Sequence, residues 1–200
     1  MSDWAPAAER LAPDQAVARV CDWWGESTQT KGHLAVVGLD GGGAAVLEEV
    51  RRQIPASVVV DATGADAEGV LRRALELLGV PDDAIRPYAW DGAAFEHGAG
   101  KLVLIAHTGR AGLTRRSAQP LLVLDHVART LACEGPSVVL DTLPSVMERS
   151  PVDRPCVRLD GTSSGVGAAA SRSLSKGVRS GPWRSTTRTS WQLRASPSTK

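Results

Sequence analysis

Residues 38–45, Gly38-Leu39-Asp40-Gly41-Gly42-Gly43-Ala44-Ala45, come nearest in type and spacing to a chemical site. Gly38 and Gly43 stand in the GxxxxG spacing of a phosphate-binding loop, after the apolar run His33-LAVVG and before the helical sequence GAAVLEEVRRQI. In a working loop of that kind, successive backbone N–H groups and a helix N-terminus surround the phosphates. A lysine neutralises their charge and a Ser or Thr hydroxyl holds magnesium. Here Ala44 takes the lysine position and Ala45 the hydroxyl position. The backbone donors survive those replacements. Charge neutralisation and metal positioning do not, and phosphoryl transfer depends on both. Asp40 would further repel a triphosphate if it faced inward. Two readings stay open: a tight glycine turn, or a degenerate and weak nucleotide site made of Gly38, Asp40, Gly41, Gly42, Gly43, Ala44 and Ala45.

A second candidate is Thr108-GRAGLTRRSA, which follows the apolar run Lys101-LVLIAH and offers Arg110, Arg115 and Arg116 as phosphate contacts. Its alternative is a solvated basic loop that caps the next helix. His107 lacks a Ser or Cys nucleophile in a strand-turn-helix elbow, so it is not assigned as a base. His126 and Asp125 are adjacent on a helical pattern and face different directions, which gives no dyad. Cys21, Cys133 and Cys156 form no CxxC pair, and no His spacing suggests zinc. The expectation is therefore no catalytic residue, no metal and no cofactor beyond weak ATP or ADP binding.

The elements that must position these residues alternate. Residues 14–24 have the helical spacing of Ala16, Val17, Val20, Trp23 and Trp24. Strands are predicted near 34–38, 57–61, 102–106 and 137–141, with Cys156-VRLD as a fifth candidate. Helices are predicted at GAAVLEEVRRQI, at Asp66-AEGVLRRALELLG with Asp66 as N-cap and Gly79 as terminator, and at Pro120-LLVLDHVARTLACEG. Residues 80–100 read as irregular. Continuous apolar strands between amphipathic helices predict an α/β fold, a three-layer α/β/α domain with a mostly parallel sheet.

The order Trp23-Trp24, polar linker, HLAVVG, glycine loop and AVLEEVRRQI, then VVVDATGADAEGVLRRALELLGV, resembles the start of the STAND-class P-loop NTPase domains of high-GC bacteria. The resemblance covers roughly residues 10–145. It implies a sheet with the third strand, 102–106, beside the first, and a Walker B strand ending in one or two acids. The strand LVLIAH ends instead in Ala106 and His107. The resemblance thus implies an inactive, degenerate member, truncated because neither effector nor repeat modules follow. Its function would be non-hydrolysing, regulatory or scaffolding. The alternatives are a Rossmann-type NAD(P)-binding oxidoreductase, with Asp61 ending the second strand, and a truncated ATP-binding fragment without independent activity. GxGxxG cannot be laid on the loop: starting at Gly38 it needs glycine at Asp40, and starting at Gly41 it needs glycine at Val46.

Composition sets the remaining bounds. The chain has 200 residues and a formal charge of +1, but residues 161–200 hold seven Lys or Arg and no acid. Residues 1–160 hold 16 Lys and Arg against 22 Asp and Glu, a charge of −6, which argues against a nucleic-acid-binding core. The tail's fifteen Ser or Thr predict disorder. Its abrupt change in composition also raises an out-of-frame extension as an explanation. The expected division is residues 1–13 as an extension, 14–160 as the domain and 161–200 as the tail. Met1 to Pro13 contains Asp3 and Glu9 without an apolar run, unlike a signal peptide, and no segment reaches membrane-span length. A cytoplasmic protein is expected, with no membrane, no specific nucleic acid, and a protein partner offered by an exposed Trp ring of the Trp23-Trp24 pair.

Overall fold

Apolar runs of four to six residues, alternating with amphipathic stretches, build the sheet and its two covering layers. The computed structural model describes residues 10–26, 32–39, 41–85, 96–114 and 117–161. All of them belong to the first of two compact units, Met1–Val166. In chain order the elements are β1 (Arg10–Leu11), α1 (Pro13–Glu26), β2 (His33–Val37), α2 (Gly42–Gln53), β3 (Val58–Asp61), α3 (Ala67–Leu78) and β4 (Leu102–Ala106). A helix α4 follows, built from the consecutive segments Gln119–Leu122, Val123–Val127 and Ala128–Glu134. The chain then forms β5 (Ser137–Thr142), α5 (Pro144–Met147) and β6 (Cys156–Leu159). Asp66 caps α3 by accepting the Gly69 N–H at 2.8 Å, and Gly79 ends that helix at φ 92°.

The sheet is parallel throughout, in the order β1-β6-β2-β5-β4-β3. One face packs Leu34, Val36, Leu104 and Val139 under α1 and α2. The other packs Ala35, Val37, Ile105 and Leu140 under α3 and α4. This is the three-layer α/β/α arrangement expected from strands apolar on both faces.

Two expectations need correction. The third predicted strand does not lie beside the first, because β5 pairs with β2 on one side and with β4 on the other. The run Ser137-VVLDT is buried on both faces along nearly its whole length, so a central place suits it better than an edge. The sheet also begins earlier than residue 14. Arg10 and Leu11 pair with Arg158 and Leu159 at the edge, so part of the expected N-terminal extension belongs to the domain.

In α4 the buried pairs Val123/Leu124, Val127/Ala128 and Leu131/Ala132 recur every four residues. A repeat of four drifts by about 40° per step around a helix of 3.6 residues per turn. The wider turn at Val123–Val127 absorbs that drift: the Ala128 N–H bonds the Val123 carbonyl, five residues back. The Leu124 carbonyl, which a regular helix would bond to Ala128, is thereby freed. Arg154 takes it, donating from Nη1 at 2.6 Å. The buried Arg154 also donates from Nη2 to Ser150 Oγ at 2.6 Å and pairs with the Asp125 carboxylate. Asp125 is therefore a partner in an ion pair, and His126 beside it is exposed.

Candidate functional site

The site forms where two neighbouring strands send their chains in opposite directions. From β2 the chain leaves through α2 on one face and crosses to β3 at the far edge. From β5 it leaves through α5, whose Val146 packs on the other face, and crosses past β2 to β6. The carboxyl ends of β2 and β5 thus flank a topological switch point, the place where open α/β sheets take ligands. The glycine loop and Asp141 meet there.

Two of the loop's four glycines, Gly41 and Gly43, are required by the backbone or by close packing, and Gly38 meets only the movable end of Leu159 and the Gly43 N–H. A Cβ on Gly38 would lie 2.8 Å from Leu159 Cδ1, and one on Gly43 would lie 2.7 Å from Asp141 Cβ and 3.3 Å from the Val36 carbonyl oxygen. Gly41 precedes α2 at φ 82°, in the left-handed region that favours glycine. Only Gly42 meets ordinary contact, 3.5 Å from Leu159 Cδ1. The Gly38 N–H donates to the Thr142 carbonyl at 3.1 Å and the Gly42 N–H to the Leu39 carbonyl at 2.9 Å. Ala44 is partly buried against the α1/α2 core and Ala45 is exposed. Asp40 lies outside the described residues.

An acid does end an apolar strand at this edge, though not after β4. Asp141, near the end of β5 and in register with Val36 of β2, is 7% exposed. Its Oδ1 accepts the Thr108 N–H at 2.9 Å, and Thr108 Oγ1 donates to the Asp141 carbonyl. Burial raises its pKa, while hydrogen bonds from Thr108 and His107 and the charge of His107 oppose the rise. His107 turns the chain at φ 60° to bring that segment over β5. None of the ion pairs among the described residues includes Asp141. Next to it, the buried Thr142 Oγ1 has no hydrogen-bond partner among the described residues.

The sequence carried the signal for Asp141, since VVLDT is an apolar strand ending in an acid. What the sequence did not carry was the sheet order that puts this strand beside the loop.

Of the other candidates, Arg110 follows Thr108 by two residues, in the turn that packs on Asp141. Arg110 is exposed on the turn after β4, and its carbonyl accepts the Gly64 N–H at 2.9 Å. Arg115 and Arg116 lie outside the described residues. Asp61 ends β3, with β4 and β5 between it and β2. At roughly 4.8 Å per strand that is about 14 Å away. A dinucleotide fingerprint needs its acidic residue on the strand next to the glycine loop, and Asp61 does not meet that need. Its carboxylate accepts the Thr63 N–H at 2.9 Å instead.

Trp23 is buried in the core and Trp24 packs partly against the same cluster, so neither ring stands clear of the domain. Among the described residues the cysteines are free, no group of three or more His, Cys, Asp or Glu could hold a metal ion, and no helix is long and apolar enough to cross a membrane. No family model and no curated protein matches this chain.

Proposed function

We propose that this domain is a non-hydrolysing, P-loop-like module with a regulatory or scaffolding role, making at most weak contact with a nucleotide. One observation carries the reading: at the switch point, the positions for a lysine and a hydroxyl hold Ala44 and Ala45, and the residue packed against Gly43 is an acid, Asp141. A helix N-terminus favours anions, and α2 supplies one. Without a cation it gives a triphosphate few partners. The resemblance to STAND-class domains supports the same reading through the loop and its flanking elements, though not through the strand order expected from it.

Isothermal titration of the full chain with ATP, ADP and NAD, with and without magnesium, tests it. Binding weaker than about 0.1 mM for all three, unchanged by magnesium and without phosphate release, is the expected result. Micromolar magnesium-dependent ATP binding with turnover would overturn it.

A further inference from the structure

Ala44 and Ala45 weaken phosphate binding by what they lack, and Asp141 acts by what it adds. We infer that Asp141 is a built-in anion that closes the loop to phosphate, an autoinhibitory contact supplied by the strand next to β2. The inference rests on the phosphate-loop reading above.

Its geometry comes from three directions. The register of β5 on β2 sets Asp141 beside Val36, and Gly43 approaches so closely that a single added carbon would meet the Asp141 Cβ at 2.7 Å. The carbon bearing the carboxylate therefore lies against the first turn of α2. The side chain is also fixed: Thr108 donates its N–H to Oδ1 and its hydroxyl to the carbonyl of the same residue. Finally, the group is 7% exposed and belongs to none of the described ion pairs, with His107 as the neighbouring group whose charge bears on it. A desolvated negative charge at that place offsets the partial positive charge of the helix N-terminus and repels a second anion. Low local dielectric strengthens both effects.

The test titrates ATP, without magnesium, into the full chain and into three variants. Asp141→Asn keeps an oxygen to accept the Thr108 N–H and removes the charge. Asp61→Asn removes a carboxylate from the far side of the sheet, and Ala44→Lys restores the missing cation. We expect Asp141→Asn to bind ATP at least tenfold more tightly than the parent chain and Asp61→Asn to match the parent. If folded Asp141→Asn binds no more tightly while Ala44→Lys does, the loop accepts phosphate and Asp141 is not the barrier; the inference then fails and the loop reading stands. If Asp141→Asn, Ala44→Lys and their combination all leave ATP unbound, both fail. Asp141→Ser carries the same comparison should the asparagine variant not fold.

Discussion

At the amino end of the sheet, the buried Arg154 is met by the Asp125 carboxylate, the Ser150 hydroxyl and the Leu124 carbonyl. At the carboxyl end, the buried Asp141 is met by backbone N–H groups and by no cation among the described ion pairs. The first charge is matched within the fold, where it ties the lead-in of β6 to α4. The second has no ion pair among the described residues, although a charge on the neighbouring His107 favours its ionised form, and it stands where sheets of this kind take ligands. Buried charge thus separates a structural tie from a candidate site more sharply than the glycine pattern does, because the close approach of Asp141 and the Val36 carbonyl already accounts for Gly43.

The strongest way to break this contrast is to remove the matched cation. Arg154→Ala leaves the Asp125 carboxylate with the Ser150 hydroxyl but without its cation, and the Leu124 carbonyl without its side-chain donor. A loss of about 3 kcal/mol or more is expected in urea unfolding. A change under about 0.5 kcal/mol would show that the network is incidental. Next in size is the loop itself. Gly43→Ala should destabilise by about 1 to 3 kcal/mol through overpacking on Asp141 and Val36, while Gly42→Ala should sit near zero. Equal losses at the two positions would argue that the loop's backbone conformation, rather than its contact with β5, sets the glycine requirement.

The smallest effects are the pH slopes, which should have opposite signs. His33 begins β2 with its Nε2 buried and without a hydrogen-bond partner among the described residues, and burial, then the neighbouring Arg154 charge, lowers its pKa from 6.5 to about 4. Between those values the unfolded chain binds more protons, so His33 lowers stability as the pH falls from 6.5 towards 4. His33→Phe should flatten that limb in thermal melts. Asp141, whose pKa is raised by burial, contributes fully only below its ordinary value of 3.8 and loses that contribution as the pH rises through the higher folded pKa. Asp141→Asn should therefore raise the melting temperature at pH 7 relative to the parent, and a fall there would contradict an uncompensated charge.

Much of this architecture is written locally. HLAVV, LVLIA and SVVLDT announce themselves as strands by being apolar at successive positions, and Asp66 and Gly79 mark the ends of α3 by cap chemistry. Sheet order is not local, which is why β5 was not expected between β2 and β4. Arg10–Leu11 is too short to show any period, and its pairing to β6 depends on residues almost 150 positions away. The wide turn of α4 was legible in principle from its four-residue apolar repeat, but Arg154 was not: nothing in SPVDRP says which carbonyl it will reach. In the site, the loop could be found from its glycines, whereas Asp141 acquires meaning only from the strand it lies beside.

The contact of Leu159 with Gly38 has a consequence for the order in which the molecule is made. β2 is central to the sheet, yet both of its neighbours, β5 and β6, are translated about a hundred residues after it. Until those strands leave the ribosome, the apolar run LAVV has neither edge covered, and the loop has neither Asp141 nor Leu159 to rest on. Non-local pairing of this kind closes slowly and leaves strands open to wrong partners. The glycine loop, near the start of the chain, must therefore be among the last parts of the domain to take its shape.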